Sequence, residues 1–419
     1  MVANYIPRNT VELAEEIMSD TPVLTISGAR QVGKSTLAQA LARDRRALVL
    51  NLDERAIMLS ARMDPDGFVR QHSDGLLVID EVQRVPELLQ AIKASLEEDR
   101  RPGRFLITGS SNVYALQGGQ ESLAGRAETI SLRGFSQGER RGYKEDFVAC
   151  LLKHSPGDFT CEELERSQYF DLVTQPSFPE IAEASERRVN RWVDGYVERV
   201  LSRDVADLVG IEYPDRLEKL LHYIAAQGSA EFVAAKVGRR LNIPERTVPA
   251  YLDALKNVFL VDVLPAWGTN VAKRVISKPK VQMQDTGMAA SLAGLDARAL
   301  ELQISSSVRG GLVEAFVASE LLKQKAWSDV DYRLFHFRQS TGSEVDLVVE
   351  TRSREIIGIE IKAAVSIAAK DFAGLRALQK IASEKFRIGV VLYAGTRVLP
   401  MGEGLWAMPI SALWGSAGR

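Results

Sequence analysis

Cysteine is almost missing from this sequence, because only two occur among 419 residues, Cys150 and Cys161. Two thiols cannot cross-link a chain of this length, and they lack the paired CxxC spacing of a metal site. Scarce cysteine is typical of proteins from a reducing compartment. We therefore predict a cytoplasmic protein whose cores are held together by apolar packing.

Long apolar runs are missing too. No stretch approaches the roughly 18–20 apolar residues needed to cross a bilayer. The first residues, "MVANYIPRNT", lack the basic-then-apolar layout of a signal peptide. The sequence therefore predicts neither a membrane span nor a secretory leader.

A charge excess of one sign is also missing, because 53 Lys and Arg stand against 55 Asp and Glu. The net charge of -2 gives no overall attraction to nucleic acid, so any such binding must come from local patches. Apolar residues, in contrast, are plentiful, at 46% of the chain. A chain of this length and composition predicts two to four domains, each with a core of its own.

The clearest motif is a glycine-rich loop between a strand and a helix. "PVLTIS" predicts a buried strand, "KSTLAQALAR" predicts a helix, and "GARQVGKST" between them fits G-x-x-x-x-G-K-[ST]. In such a loop backbone amides face phosphate oxygens, the lysine reaches the β- and γ-phosphates, and the hydroxyl ligates Mg²⁺. The sequence therefore predicts an ATP and Mg²⁺ site with Lys34 on the phosphates and Ser35 on the metal. The predicted ATP-binding residues are Gly28, Ala29, Arg30, Gln31, Val32, Gly33, Lys34, Ser35 and Thr36.

"GLLVIDEV" is an apolar strand that ends in two acids, Asp80 and Glu81. A central parallel strand opens at its carboxyl end onto the ligand crevice. We predict that Asp80 orients Mg²⁺ through water and that Glu81 polarises the attacking water as the catalytic base. The next strand, "RFLITGSSN", ends in Ser110, Ser111 and Asn112. Any of the three could sense the γ-phosphate, and we take Ser110 as the candidate.

"ALVLNLD" and "ETISLRG" complete a predicted set of five parallel strands with helices between them. Arg126 precedes the last strand, in "ESLAGRAETI". In oligomeric ATPases an arginine near this point reaches the γ-phosphate of the neighbouring subunit. Arg126 is therefore either such a finger or a plain surface arginine, and the finger predicts a homo-oligomer such as a ring.

Residues from about 136 to 207 are predicted to be helical and polar, as in a lid. "SAEFVAAKVGRRLNIPERTVPAYLDALKNVFLVDVLPAW" then predicts helix, turn, helix and strand, the order of a winged helix. Basic side chains there could bind DNA through its phosphates, with little regard to sequence. The alternative is a winged helix for protein contacts or a lid, with solvated cations. The predicted DNA contacts are Arg246, Lys256, Lys273, Arg274, Lys278 and Lys280.

"EVDLVVETRSREIIGIEIK" predicts two strands joined by a polar turn. Residues two apart on a strand point the same way, so Glu360 and Lys362 share a face, and Asp346 lies on the partner strand. Asp followed by Glu-x-Lys is the signature of the PD-(D/E)xK nuclease fold, whose carboxylates hold Mg²⁺ and whose lysine stabilises the reacting oxygen. Glu314, on the preceding helix "LVEAFVASELLK", is the further predicted metal ligand. The alternative is a salt-bridged network that grips DNA or another subunit without cutting.

These motifs, with "SFPE", "QMQDTGMAASL", "GGLVEAFVASELLK" and "STGSEVDLVV", resemble those of bacterial and archaeal AAA-type P-loop ATPases with a carboxyl-terminal domain of unknown function. The matching stretches span nearly the whole chain. One departure is "RGFSQGE", which lacks a proline of the family and alters only a turn. We expect an α/β protein in four parts: a P-loop ATPase core (1–135), a helical lid or linker (136–210), a winged-helix-like domain (211–280) and a PD-(D/E)xK nuclease-like domain (281–419).

The sequence leaves three functions open. The first is an oligomeric ATP-hydrolysing motor that acts on duplex or branched DNA in repair or recombination. The second is an ATP-dependent switch that gates a partner in signalling or toxin control, which the near-neutral charge favours. The third is a DNA nuclease licensed by ATP.

Overall fold

The structure is a computed structural model that describes residues 5–111, 123–205, 214–270, 274, 277–302, 306–339 and 342–417. Within these ranges no helix has both the length and the apolar character needed to span a membrane. Two of the predicted site residues, Asn112 and Lys273, lie outside the described residues.

The first part of the chain forms one five-stranded sheet. Its strands are Val23–Ser27 (β1), Ala47–Asn51 (β2), Leu76–Asp80 (β3), Phe105–Gly109 (β4) and Ala127–Ser131 (β5). They pair in parallel in the order β2-β3-β4-β1-β5, so all carboxyl ends meet at one edge. The central strands are buried along their whole length, which explains their continuous apolar sequence. The predicted α/β core with a parallel sheet is confirmed.

Helices pack on both faces of this sheet. Successive side chains of a strand point to opposite faces, so a continuously apolar strand needs a cover on each side. Leu106 belongs to the buried cluster that contains Leu37, whereas the next residue, Ile107, belongs to the cluster that contains Ile92. The sheet is therefore covered on both sides, as in other α/β folds. The helices of this part are Val11–Asp20 (α1), Lys34–Ala42 (α2), Arg55–Met63 (α3), Pro65–Arg70 (α4) and Leu88–Glu98 (α5).

The next part is helical, and its role as a lid stays a prediction. Its helices are Gln137–Arg141 (α6), Phe147–Lys153 (α7), Arg166–Thr174 (α8) and Glu186–Arg199 (α9). Helix α9 continues into a π-helical segment, Val200–Asp204. A short strand, Phe159–Thr160 (β6), lies between α7 and α8.

The described residues between 214 and 283 form three helices and a small antiparallel sheet. The elements are Pro214–Gln227 (α10), Ala230–Glu231 (β7), Ala234–Leu241 (α11), Val248–Asn257 (α12), Val261–Leu264 (β8) and Lys280–Met283 (β9). The sheet order is β7-β9-β8. Helix α11 ends at Leu241 and is followed by Asn242, whose φ of 54° lies in the left-handed region that asparagine tolerates. The predicted domain boundary between 280 and 281 falls inside β9, which pairs with β8 along its length and with β7 at Lys280 and Val281.

The last part is a mixed sheet with helices on it. Helix Thr286–Leu292 (α13) packs on α8 and α9, so it belongs spatially to the helical part in the middle of the chain. The next helix is Ala297–Leu302 (α14). Helix Ser306–Gln324 (α15) packs against the sheet of order β10-β11-β12-β13-β15-β14. The predicted hairpin is present, because β11 and β12 pair antiparallel. The remaining elements are Tyr332–Arg338 (β10), Glu344–Thr351 (β11), Ile356–Lys362 (β12), Ala373–Ala382 (α16), Phe386–Tyr393 (β13), Leu399–Pro400 (β14), Leu405–Pro409 (β15) and Ser416–Ala417 (β16), which pairs with β6.

Candidate nucleotide site and carboxylate cluster

The glycine-rich loop joins β1 to α2 at the carboxyl edge of the parallel sheet. Position 28 requires glycine, because a Cβ there would lie 2.1 Å from the carbonyl oxygen of Leu132. Gly33 has a φ of 99°, in the left-handed region, and precedes the first turn of α2. The two glycines thus let the loop bend in front of the helix N-terminus, where free amides and the helix dipole favour phosphate.

The Lys34 side chain is buried inside this loop and its Nζ donates to the carbonyl oxygen of Ala29 at 2.9 Å. Burial lowers the pKa of Lys34, while the charges of Glu81 and Asp80 oppose that effect. A triphosphate would supply further negative charge to this ammonium. The lysine environment therefore fits an anionic ligand.

Two buried hydroxyls at the same edge support a polar ligand. Ser27 ends β1 just before the loop, and Ser111 follows β4. Neither Oγ has a hydrogen-bond partner within the described part of the chain. Buried hydroxyls normally have partners, so these two fit a site that a ligand completes. Ser35 is half-buried in the first turn of α2, where its hydroxyl could ligate Mg²⁺ together with Asp80.

Asp80 and Glu81 lie at the end of β3, and Thr108 of β4 contacts both. The Thr108 hydroxyl donates to Asp80 Oδ1 and accepts the backbone N–H of Glu81 at 3.2 Å. Glu81 has a φ of 61°, a left-handed conformation that costs a non-glycine residue roughly 1–2 kcal/mol. This strained turn holds the second acid at the ligand edge of the sheet, where the base is predicted.

Gln83, which the sequence patterns did not single out, contacts both Glu81, the predicted base, and Ser110, the predicted γ-phosphate sensor. Its amide nitrogen donates to Glu81 Oε2 and to Ser110 Oγ, the latter at 2.9 Å. Its Oε1 is buried without a partner among the residues described. The only sequence signal is the glutamine in "DEVQ", and the 3₁₀ turn Val82–Arg84 brings it back toward the acid.

The loop is also held from two distant segments. Arg30 donates to Asp204 twice, from Nε at 3.0 Å and from Nη2 at 2.8 Å. The Tyr196 hydroxyl of α9 donates to the Arg30 carbonyl oxygen at 3.2 Å. From the other side, Arg8 Nη1 donates to the carbonyl oxygen of Val32 at 3.0 Å. The phosphate-binding loop is therefore connected both to the N-terminal segment and to the helical part.

In the last part of the chain, Glu314, Glu344, Asp346 and Glu360 form what we call the carboxylate cluster. Lys280 Nζ lies 2.7 Å from Glu314 Oε1, 3.3 Å from Glu344 Oε1 and 3.6 Å from Asp346 Oδ1. A second lysine, Lys362, pairs with Glu360 at 2.6 Å, and Asp346 Oδ2 accepts the Ile361 N–H at 2.9 Å. The predicted acids and lysine on α15, β11 and β12 thus lie in one network.

Negative charge exceeds positive charge in this network. Burial raises the pKa of Glu314 and of Glu360, and the charge of Asp346 raises both further. Burial by itself would lower the pKa of Lys280. The charges of Glu314 and Asp346 outweigh this effect, so the pKa of Lys280 is raised as well. As the pH falls, a carboxyl group of the cluster therefore takes up a proton, while Lys280 keeps the proton and the charge that it already has.

The cluster does not fit a metal ion in this arrangement. Within the described ranges, no group of three or more His, Cys, Asp or Glu residues is placed to hold one. The Lys280 ammonium contacts both Glu314 and Asp346, and Lys362 pairs with Glu360 Oε1. Glu360 Oε2 is buried without a partner among the described residues. The prediction that Glu314, Asp346 and Glu360 hold Mg²⁺ therefore stays a prediction. In this arrangement the positive charge comes from the buried Lys280 and the half-buried Lys362.

Comparison with known families agrees with the nucleotide site. Residues 20–140 match the model of the AAA domain family. The chain contains a P-loop ATPase domain of the AAA type. Residues 166–299 match a domain of unknown function, DUF8612, and residues 309–413 match another, DUF4143.

Two curated relatives match most of this chain. Uncharacterized proteins of Mycobacterium tuberculosis (strain H37Rv) and Mycobacterium bovis are each 29% identical to it over 391 residues, which cover 93% of this chain and 80% of the relative. A Walker-type ATPase of Pyrococcus abyssi is 15% identical with a TM-score of 0.44, covering 69% of this chain and 96% of its own. AMPPCP-bound DnaA from Aquifex aeolicus is 15% identical with a TM-score of 0.29, covering 60% and 90%.

Arg126 of the ATPase lies just before β5, at the amino edge of the sheet, whereas the loop lies at the carboxyl edge. Five-residue strands separate these edges by about 16 Å. The Arg126 guanidinium pairs with the largely exposed Glu97. This placement leaves the γ-phosphate of its own chain out of reach, so a finger role requires a neighbouring subunit.

Two predicted DNA contacts are internal ion pairs instead. Lys280 is buried in the carboxylate cluster, and Arg274 Nη1 pairs with Glu350 at 2.6 Å and lies over the Trp267 ring. Each of these cations is paired with an acid of its own chain, so its role in DNA binding stays a prediction without support from exposure. The remaining described candidates are exposed and stay predictions: Arg246, Lys256 and Lys278.

Proposed function

We propose that this ATPase is an oligomeric, ATP-hydrolysing motor that acts on duplex or branched DNA in repair or recombination. Hydrolysis is supported by one observation above all. Lys34 is buried in the glycine-rich loop, and the acids whose charges act on it most strongly are Glu81 and Asp80. A phosphate-binding cation with two acids on the adjoining strand end is what phosphoryl transfer to water requires.

Each side chain has a separate task in this proposal. Lys34 offsets the charge of the β- and γ-phosphates, and Glu81 accepts the proton of the attacking water. Ser35 and Asp80 would hold Mg²⁺, which when bound neutralises phosphate charge. Ser110 contacts the γ-phosphate from the end of β4.

The DNA part of the proposal rests on the appended units. Helices α10 to α12 with the sheet β7-β9-β8 follow the order of a winged helix, and Arg246, Lys256 and Lys278 of this region are exposed. The last part, in which α15 precedes the hairpin of β11 and β12, has the order of a PD-(D/E)xK fold. We propose that it holds DNA or a partner rather than cutting, since the Lys280 ammonium contacts Glu314 and Asp346, two of the three predicted metal ligands.

A second candidate is a nucleotide-dependent switch in signalling or toxin control. The pair of Arg30 and Asp204 favours it, because this contact links the phosphate-binding loop directly to the helical part. A switch turns over slowly and responds to a partner, whereas a motor accelerates on its track.

ATPase rates separate the two candidates. The rate would be measured without DNA and with single strands, duplex and four-way junctions, using the wild type, Glu81→Gln and Lys34→Ala. The motor predicts a several-fold increase with duplex or junction, abolished in both variants, and Glu81→Gln should still bind ATP. A slow rate that no DNA changes supports the switch. No ATP hydrolysis by the wild type under any condition contradicts both.

DNA binding has its own test. The triple variant Arg246→Ala, Lys256→Ala and Lys278→Ala should weaken duplex binding and reduce the salt dependence, by about one unit of slope for each phosphate that the protein no longer neutralises. The control removes three other exposed lysines, Lys219, Lys380 and Lys385. Equal weakening in both triple variants would show only a general charge effect and contradict the patch.

A further inference from the structure

The carboxylate cluster joins two units of the chain. Lys280 is the first residue of β9, in the sheet with β7 and β8, whereas Glu314 lies on α15 and Asp346 on β11. The lysine side chain is only 4% exposed and the Glu314 side chain 10%. A charge buried this deeply is costly unless it is paired, so the contact determines how the two units fit together.

We propose that Lys280 is a built-in cation that takes the place of a divalent ion in this cluster, excludes metal from it and fixes the β7-β9-β8 sheet to the carboxyl-terminal sheet. This inference goes beyond ATP hydrolysis and does not depend on it. It gives the last part of the chain a structural role in place of metal-dependent chemistry.

The positive charge of lysine matches its surroundings. Lys280 Nζ donates a hydrogen bond to Glu314 Oε1 at 2.7 Å, and the carboxylates of Glu344 and Asp346 lie at ion-pair distances of 3.3 and 3.6 Å. Ser229, just before β7, donates to the same Glu314 oxygen at 2.8 Å. Two groups from the 214–283 unit therefore converge on one buried carboxylate, as expected of a specific docking contact.

Removing the ammonium would leave the acids facing each other. Glu314 Oε1 and Asp346 Oδ1 lie 2.7 and 3.6 Å from the same Nζ, so two like charges meet where the ammonium now lies. Oxygen ligands grouped in this way attract hard divalent cations once a competing cation is gone. The proposal therefore makes opposite predictions for the wild type and for a variant that keeps the length of the side chain but not its charge.

The test is Mn²⁺ binding to nucleotide-free full-length protein, followed by electron paramagnetic resonance, together with thermal unfolding. The wild type should show no Mn²⁺ binding that depends on Asp346. Lys280→Met should gain one Mn²⁺ ion, at least tenfold tighter than any wild-type binding, and lose it again when Asp346→Asn is added. Its Tm should fall by about 3 °C or more without metal and recover with Mn²⁺.

A charge-matched control separates electrostatics from packing. Adding Glu314→Gln to Lys280→Met removes one negative charge along with the positive one. In the absence of metal, the double variant should therefore recover much of the decrease in Tm that Lys280→Met causes. Binding of Mn²⁺ by the wild type that Asp346→Asn abolishes would overturn the proposal, and so would a folded Lys280→Met that binds no Mn²⁺. If Lys280→Met does not fold, the comparison of the wild type with Asp346→Asn still decides.

Discussion

Arg30 of the phosphate-binding loop and Asp204 of the π-helical segment form a two-point ion pair. Their side chains are 18% and 9% exposed, so water screens the pair only partly. The planar guanidinium suits a carboxylate in this geometry and fixes its orientation as well as its distance. The conformation of the loop is therefore coupled to that of the helical part.

Asp204→Ala should weaken this coupling. We expect a decrease of about 1–3 kcal/mol in unfolding free energy, because Arg30 keeps a mostly buried charge without its partner. ATP should bind several-fold more weakly, since the loop is less well ordered. Urea unfolding and ATP titration of Asp204→Ala, Arg30→Ala and the double variant give the coupling energy. Glu198→Ala, on the exposed side of α9, is the control, and additive effects in the double variant would contradict a coupled pair.

Gln83→Ala should slow hydrolysis without weakening ATP binding. The amide bridges Glu81 and Ser110, so its removal lets the base leave its position while the phosphate contacts remain. We expect kcat to fall about tenfold or more, with KM changed less than about twofold.

The matched control for Gln83 is Gln90→Ala, an exposed glutamine on α5. It should leave both kinetic constants unchanged. An increase in kcat for Gln83→Ala would mean that the amide restrains Glu81 instead of positioning it.

Arg126→Ala should abolish most hydrolysis but preserve ATP affinity if the finger acts between subunits. A mixture with Glu81→Gln then provides a sharper test. In the mixture, some interfaces contain the intact Glu81 of the Arg126→Ala subunit and the intact Arg126 of the Glu81→Gln subunit. These interfaces should recover activity that neither variant has alone. Glu97→Ala removes the ion-pair partner of Arg126 and should keep the wild-type rate. A normal rate for Arg126→Ala would make it a surface residue.

Stability should fall as the pH rises from about 5 to 8, in part because of Glu145. Burial raises the pKa of this carboxyl to about 8 in the folded protein. The folded state thus keeps a proton that the unfolded chain loses near pH 4.3, and this contribution to stability disappears as the pH passes the folded pKa. Glu145→Gln should flatten the dependence of Tm on pH, whereas the exposed Glu384→Gln should not. An unchanged profile for Glu145→Gln would exclude this carboxyl as the cause.

Features that depend on neighbouring residues could be predicted from the sequence. The strand, glycine loop and helix around Lys34 follow from local periodicity and from a spacing that the backbone itself requires. The hairpin of β11 and β12 follows in the same way, because a polar turn separates two apolar runs. The acids at the end of β3 were predicted at the ligand edge because parallel strands share that edge.

Contacts between distant segments could not be predicted in this way. Nothing near Lys280 in the chain distinguishes it from an exposed basic residue, and only folding shows Glu314 and Asp346 around its ammonium. The pairs of Arg30 with Asp204 and of Gln83 with Ser110 are of the same kind.

The sequence by itself determined the nucleotide loop, the parallel sheet and the hairpin of β11 and β12, because each depends on local geometry. The tertiary structure alone decided which charges are solvated and which are paired. The energy of a charge depends on burial and on partners many residues away, and spacing along the chain carries no information about either.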